Sequence, residues 1–187
     1  WGMTEMVRIL AVNEAPRHRG TRALGRAVVG LEARVVDDND ADVPTGEVGE
    51  LVVRHSELTP RAGAFSGYLK DPEATAAGWR GGWWHSGDVV RRSPDGMLHF
   101  VDRKKNIIRR SGENIAAAEI EAWLQTHPAV ASVAVTAVAD ELRDEEVMAC
   151  IVTNEGFAAC DELAENLFTF CVENLAYYKA PGWLLFM

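Results

Sequence analysis

At 187 residues, with 48% hydrophobic and 25% charged side chains, the chain has the size and balance of one ample globular domain or two small ones. Its formal net charge of −9 argues against a sequence-independent nucleic-acid surface, since such a surface needs a basic face. No apolar run approaches the roughly 20 residues of a membrane-spanning helix. We therefore expect neither nucleic acid nor a membrane span.

The first part of the chain has the pattern of β structure. Short β-rich runs at 32–36 and 50–54 are separated by a turn-rich segment. Pro94-Asp95-Gly96 is a strong turn signal between the β-rich runs 88–92 and 97–101. These two runs are therefore predicted to form a hairpin.

The second part of the chain has a mixed pattern. Helical spacing of apolar residues predicts a helix over 117–125, and Pro128 ends it. The β-branched runs 130–138 and 146–153 predict two strands, and Asp161 is the expected N-cap of a last helix. The pattern predicts an α+β chain, in which a β-rich part with strands and hairpins precedes a small α+β domain with a short sheet and flanking helices.

Three cysteines, Cys150, Cys160 and Cys171, are odd in number and show no C-x-x-C spacing. This pattern favours buried thiols in a reducing cytosol over a disulfide or zinc framework. A cytoplasmic location is therefore expected.

Polar residues suited to binding a ligand are concentrated between Gly82 and Glu121. Asp88 directly follows Gly87, and a carboxylate so placed can accept two hydrogen bonds from a vicinal diol such as a ribose. An ordinary turn-capping aspartate is the alternative. The basic runs 103–105 and 109–110 suit a phosphate or ribose contact, a charged hinge or a solvated strand face.

Two further features have more than one reading. Gly112 indicates either close approach of the backbone to a ligand or a tight turn. At the start of the chain, Trp1 could stack on a base, Thr4 could donate to a phosphate, and Glu5 could ligate Mg²⁺.

Taken together and in order, these segments resemble the AMP-forming adenylate synthetase superfamily. That superfamily includes acyl-CoA ligases (acyl-CoA synthetases), firefly luciferases and the adenylation domains of peptide synthetases. The matching segments are WGMTE (1–5), GWWHSGD (82–88), DGMLHFVDRKKNII (95–108), SGENIAAAEIE (111–121) and YYKAP (177–181).

The resemblance implies a role for five residues at a nucleotide site. Trp1 takes the place of an aromatic residue that stacks on adenine. Thr4 matches the residue contacting the AMP α-phosphate, and Glu5 matches the Mg²⁺ ligand. Asp88 matches the carboxylate that binds the ribose diol, and Arg103 matches a second ribose contact.

It also implies a domain division. Residues 1–102 would form the C-terminal part of a large domain, 103–106 a hinge, and 107–187 a small mobile domain. Lys105 falls at the residue about which the small domain rotates between half-reactions. Gly112 matches a glycine that borders the pantetheine tunnel.

The implied reaction has two steps. A small-molecule carboxylic acid first attacks the α-phosphate of ATP in the presence of Mg²⁺, which gives an acyl-adenylate and pyrophosphate. The thiol of coenzyme A then displaces AMP. Positioning and charge neutralisation would drive the chemistry, rather than a protein nucleophile. The protein is also expected to be able to form a homodimer.

Two family elements are missing. The chain lacks the Ser/Thr/Gly-rich phosphate loop that precedes WGMTE and the lysine near the end of the small domain that drives adenylation; Lys179 lies in a different element. We therefore expect a C-terminal fragment of an acyl-CoA ligase that is inactive alone. The alternatives are an adenylation domain that loads a carrier protein and a non-catalytic module of the same fold. The segment 109–121 is similar to ligases acting on carnitine-like or other short polar acyl groups.

Overall fold

The computed structural model describes residues 1–8, 10–11 and 20–187. The chain divides into two compact units, Trp1–Lys104 and Lys105–Met187, which are described separately. Of the helices in the described ranges, none combines the length and apolar character that crossing a membrane requires.

The first unit is built mainly from β-strands. Its elements are β1 (Gly2–Met3), β2 (Val7–Arg8), β3 (Leu10–Ala11), β4 (Ala23–Ala27), β5 (Glu32–Val36), β6 (Val48–Arg54), α1 (Pro72–Gly78), β7 (Trp84–Arg92) and β8 (Leu98–Arg103). The short strands β1 and β2 pair with each other, and the other six form an antiparallel sheet in the order β3-β4-β8-β7-β6-β5.

The predicted hairpin around Pro94-Asp95-Gly96 is confirmed. Strands β7 and β8 pair antiparallel, with Arg91 opposite His99. The Ser93 N–H donates to Met97 O at 2.9 Å, which closes the turn. The turn residues thus fix the register of the two strands that lead into the candidate site.

One face of this sheet forms a buried apolar core. Leu51 and Val53 of β6 and Val90 of β7 are all fully buried. Trp79 and Trp84 pack edge-on at 5.5 Å between ring centroids and extend the same cluster. Val52, which lies between Leu51 and Val53 and faces the other side of the sheet, is buried as well.

The second unit is the α+β part. Its elements are β9 (Ile107–Arg110), β10 (Glu113–Ala116), α2 (Ala117–Leu124), β11 (Val130–Asp140), β12 (Asp144–Thr153), α3 (Asp161–Asn174) and β13 (Trp183–Phe186). The sheet order is β10-β9-β12-β11, and β13 pairs with β12 in parallel. The predicted α+β class is therefore confirmed.

Two helices cover the core of this sheet. Ile120 and Leu124 of α2 and Leu167 and Cys171 of α3 are completely buried in one cluster with strand residues. Helix α2 ends before Pro128, as predicted. Burial raises the pKa of the Cys171 thiol to about 11, so this thiol is unreactive at neutral pH.

The prediction that Asp161 caps α3 is wrong. Cys160 occupies the N-cap position in an extended conformation, and its side chain makes no capping hydrogen bond. The helix therefore begins at Asp161 itself. A carboxylate in the first turn of a helix is favoured by the helix dipole, which explains why an acidic residue suits this position without capping it.

A buried ion pair fixes the YYKAP segment to the sheet of the second unit. Arg110 Nη2 lies 2.7 Å from a carboxylate oxygen of the buried Glu146, and Arg110 Nη1 donates to Tyr178 O at 2.6 Å. Lys179 Nζ lies 2.6 Å from Glu119 Oε1 at the start of α2. These contacts give Arg110, Lys179 and Glu119 structural partners within this unit.

Candidate functional site

A bulge of three residues in β7 carries the sequence Ser86-Gly87-Asp88. On β6, Val52 pairs with His85 and Glu50 pairs with Val89, so three residues of β7 face Leu51 alone. Gly87 has φ +69°, a left-handed conformation that glycine adopts without strain. Bulges redirect side chains out of the regular ladder, and this one sets the direction of the Asp88 carboxylate.

The polar groups that the bulge releases find local partners. The Ser86 hydroxyl donates to Leu51 O at 2.6 Å and accepts the Asp88 N–H at 3.1 Å. The Gly87 N–H donates to Glu50 Oε1 at 3.2 Å. Buried backbone groups need such partners, so Ser86 and Glu50 hold the bulge in one conformation.

Asp88 lies at the centre of the candidate site and is 4% exposed. Its Oδ2 accepts the Trp1 Nε1–H at 2.8 Å. Its Oδ1 lies 2.8 Å from Arg103 Nη1, but no N–H is aligned with this oxygen. The same Nη1 donates to Ser86 O at 3.2 Å. Oδ1 therefore has a charge partner but no hydrogen bond, and it is buried from solvent.

The ionised form of Asp88 is incompletely compensated. Burial raises the pKa of this carboxyl, and the Arg103 charge and the Trp1 hydrogen bond offset only part of that effect, so its pKa lies above the ordinary value. A buried carboxylate with spare acceptor capacity can bind a ligand that supplies hydroxyl donors.

The turn after β1 carries the other two residues of the WGMTE segment. Thr4 is exposed there. The Tyr68 hydroxyl donates to Glu5 Oε1 at 2.8 Å, and the Phe65 N–H donates to Glu5 O at 2.9 Å. Burial and this bond to Glu5 both raise the pKa of Tyr68, so the phenol stays a donor at neutral pH. Glu5 is thus held by a residue that no sequence argument singled out.

Glu5 fits the part of a single carboxylate ligand to magnesium. The described residues contain no group of three or more His, Cys, Asp or Glu that could hold a metal ion. Mg²⁺ commonly binds through one or two carboxylates together with substrate phosphates and water. Glu5 could supply one such carboxylate, which the Tyr68 hydrogen bond at Oε1 orients.

The remaining two predicted residues lie in the second unit. Lys105 is exposed in the short 3₁₀ turn Lys104–Asn106. Ser111 and Gly112 have φ of +51° and +85° and form the two-residue connection between β9 and β10. Positive φ at both positions is the type I′ hairpin turn. A Cβ at Gly112 would meet nothing within 4 Å, so its surroundings are open.

The structure therefore brings Trp1, Asp88 and Arg103 into direct contact. Thr4 and Glu5 share one turn of the same unit, whereas Lys105 and Gly112 belong to the second unit.

Sequence reasoning missed the supporting residues Glu50, Ser86 and Tyr68. Ser86 lies within the GWWHSGD segment, but its partner Leu51 is 35 residues away, and the partners of Glu50 and Tyr68 are 37 and 63 residues away along the chain.

Comparison with known proteins identifies the family. The family model described as AMP-binding enzyme matches residues 1–69, and the model described as AMP-binding enzyme C-terminal domain matches residues 119–187. Crotonobetaine/carnitine–CoA ligase of Shigella flexneri is 35% identical over 185 residues, which cover 98% of this chain and 35% of that protein. The chain thus spans about a third of the length of the curated relatives it matches.

Two solved structures extend the comparison to three dimensions. ATP-bound MatB from Rhodopseudomonas palustris aligns with a TM-score of 0.80 and 28% identity over 100% of this chain and 35% of that one. The o-succinylbenzoate CoA synthetase MenE from Bacillus subtilis, in complex with its acyl-adenylate intermediate, gives a TM-score of 0.81 and 27% identity over 100% and 36%. With two matching domain models of one family and these relatives, the chain belongs to the AMP-binding enzymes, the adenylate-forming superfamily that its motifs resemble.

Proposed function

We propose that this chain is part of an ATP-dependent, AMP-forming acyl-CoA ligase. In this proposal residues 1–102 end the large nucleotide-binding domain, 103–106 form the hinge and 107–187 belong to the small mobile domain. The observation that carries the proposal is the contact of Trp1, Asp88 and Arg103 around a buried carboxylate with spare acceptor capacity. The division of the chain between Lys104 and Lys105 supports the placement of the hinge.

Asp88 is the group that binds the ribose. The ribose diol would donate to this carboxylate, whose two oxygens are contacted by Trp1 and Arg103. Trp1 is the aromatic residue on which adenine would stack, and its Nε1–H bond to Asp88 keeps the indole beside the ribose-binding carboxylate. Arg103, whose side chain is half exposed, is the second ribose contact.

Thr4 and Glu5 act at the phosphates. The exposed Thr4 hydroxyl would donate to the α-phosphate, and the Glu5 carboxylate would be the protein ligand to Mg²⁺. The metal, when bound, neutralises phosphate charge as the α-phosphate is attacked. The Tyr68 hydroxyl, which donates to Oε1, would orient the Glu5 carboxylate for this role.

Lys105 and Gly112 act in the second step. Rotation about Lys105 would exchange the adenylate-forming pose for the thioester-forming pose, in the manner of other small-domain gates. Gly112, on an open turn, would border the path by which the pantetheine thiol of coenzyme A reaches the acyl-adenylate.

The substrate is a small-molecule carboxylic acid. The curated relatives are named for crotonobetaine and carnitine, which favours a short, polar acyl group. The three cysteines are free thiols, which supports a cytoplasmic location. A homodimer is also proposed, and a measurement of the molecular mass in solution would test it.

The test is a pyrophosphate-release assay of the gene product that carries this chain, over a panel of carboxylic acids with and without coenzyme A. Turnover that requires coenzyme A and is greatest with a short polar acid is expected. Pyrophosphate release that proceeds equally without coenzyme A would favour carrier loading. Silence across the panel from a protein that still binds AMP would favour a non-catalytic module.

A further inference from the structure

Glu50 of β6 connects the nucleotide site to the end of the first unit. We propose that it is a positioning residue, whose buried carboxylate joins the backbone that presents Asp88 to Lys104, the last residue of that unit. The inference rests on the proposed function, because it gives Glu50 a task within the nucleotide site.

The contacts of Glu50 run in two directions. Its Oε1 accepts the Gly87 N–H at 3.2 Å, one residue before Asp88. Its Oε2 accepts from Lys104 Nζ at 2.8 Å and lies 3.2 Å from His85 Nδ1. The residue is 6% exposed, so few water molecules compete for these oxygens. A single carboxylate thus holds both the bulge and a residue beyond the end of β8.

The charge state of both partners favours a strong link. Burial raises the pKa of Glu50, but the hydrogen bonds from Lys104 and His85 outweigh it, and the net pKa lies below the ordinary value. Burial lowers the pKa of Lys104, and its bonds to Glu50 and Asp38 more than reverse that effect. The pair is therefore ionised at neutral pH, and a partly desolvated ion pair holds its geometry better than an exposed one.

These contacts close a ring. Asp88 pairs with Arg103 at 2.8 Å, and Arg103 precedes Lys104 in the chain. Lys104 binds Glu50, Glu50 binds the Gly87 N–H, and Gly87 precedes Asp88. A displacement of any member changes the geometry of the others, because every step of the ring is a covalent or a polar link.

The ring also fixes where the first unit ends. Lys104 is held a second time, by Asp38 Oδ1 at 3.1 Å. Lys105, the next residue, is exposed and begins the second unit. Glu50 therefore keeps the backbone up to Lys104 attached to the nucleotide site.

Three variants separate this role from a general contribution to folding. Glu50→Gln keeps an oxygen for the Gly87 N–H and removes the charge that holds Lys104. Lys104→Met removes the ammonium group and keeps most of the side-chain length. The double variant carries no buried charge that lacks a partner, so it remains a test if Lys104→Met alone fails to fold. Glu47→Gln, on the exposed loop before β6, is the matched control.

Two readouts are taken: amide exchange at Gly87 by NMR and AMP affinity by calorimetry. We expect the Gly87 amide to exchange faster in Lys104→Met, because Lys104 acts on Gly87 through Glu50. We expect AMP to bind about threefold to tenfold more weakly in both single variants. The double variant should be no weaker than the worse single variant, because both substitutions break one link.

The outcomes distinguish this inference from the proposed function. If the wild-type protein fails to bind AMP, the proposed nucleotide site is contradicted. If Gly87 exchange is still faster in Lys104→Met, the link from Lys104 through Glu50 to Gly87 is supported all the same. Gly87 exchange and AMP affinity that match Glu47→Gln in every variant would overturn the role of Glu50. Additive losses in the double variant would overturn it as well, since they would mean two independent contributions.

Discussion

At the scale of single residues, Asp88 illustrates a conflict between binding and stability. Its carboxylate is buried, and its pKa lies above the ordinary value because burial outweighs the effects of Arg103 and Trp1. The folded state therefore binds the Asp88 proton more tightly than the unfolded state does. This stabilises the fold only at low pH, and the ionised group reduces the free energy of unfolding at neutral pH.

We expect Asp88→Asn to raise the free energy of unfolding at pH 7 while it weakens AMP binding. The amide oxygen can still accept from Trp1, and the substitution removes a buried charge that Arg103 and Trp1 offset only in part. Loss of a charge-assisted bond to the ribose should lower AMP affinity by roughly tenfold to a hundredfold. Denaturant unfolding at pH 7 and pH 5 and calorimetry with AMP measure both effects, and the gain in stability should shrink at the lower pH.

Asp95→Asn is a control with the opposite sign. Hydrogen bonds from the Ser93 hydroxyl and the Met97 N–H lower the pKa of Asp95. Its ionised form therefore stabilises the fold at pH values above the ordinary pKa of a carboxyl group, and this stabilisation is lost as the pH falls. The substitution should lower the free energy of unfolding at pH 7 and leave AMP binding unchanged. A loss of stability in Asp88→Asn as large as that in Asp95→Asn would show that Asp88 contributes mainly to folding.

At the scale of elements, the β9–β10 turn tests the assignment of Gly112. Positive φ at Gly112 means that an alanine there is strained, and the open surroundings mean that it meets no clash. We expect Gly112→Ala to lower the free energy of unfolding of the second unit by about 1 kcal/mol and to raise KM for coenzyme A. Ser111→Asn is the matched change, since asparagine suits this turn type and should stabilise the unit without an effect on KM.

The gene product that carries this chain is assayed at a temperature at which every variant is folded. Unchanged coenzyme A kinetics in Gly112→Ala would restrict this glycine to its role in the turn. A rise in KM in both variants would point to the mobility of the hairpin rather than to the space at Gly112.

Local signals predicted the elements well, because their causes are local. The Pro94-Asp95-Gly96 turn set the β7–β8 hairpin, and α2 ended before Pro128. The N-cap of α3 is Cys160, one residue before the predicted Asp161. The two residues are neighbours, and only the backbone dihedrals show which of them precedes the first helical residue.

The candidate site was less accessible from local patterns. Trp1 and Asp88 are 87 residues apart in sequence, and only the order of family motifs indicated that they share a site. Glu50 and the bulge at Ser86-Gly87-Asp88 depend on how β6 and β7 pair, which is decided by cross-strand packing over a separation of 37 residues.

At the scale of the whole molecule, the proposed mechanism depends on the two units keeping separate identities. Each has its own buried apolar cluster, and the division lies between Lys104 and Lys105. Lys104 is held by Glu50 and Asp38 within the first unit, whereas the Lys105 side chain is exposed. A change of backbone dihedrals at Lys105 would therefore disturb neither core, which is the property that a hinge residue needs.

Lys105→Pro should impair one half-reaction far more than the other in the gene product that carries this chain. Proline restricts φ to about −65° and removes the backbone N–H, so the chain would keep only the pose compatible with that angle. Pyrophosphate exchange reports adenylate formation, and the reaction of preformed acyl-adenylate with coenzyme A reports the thioester step. We expect the two rates to diverge by at least about tenfold. Lys105→Ala, which removes the side chain and leaves the backbone free, should preserve their ratio. Equal losses of both rates in Lys105→Pro would exclude Lys105 as the hinge.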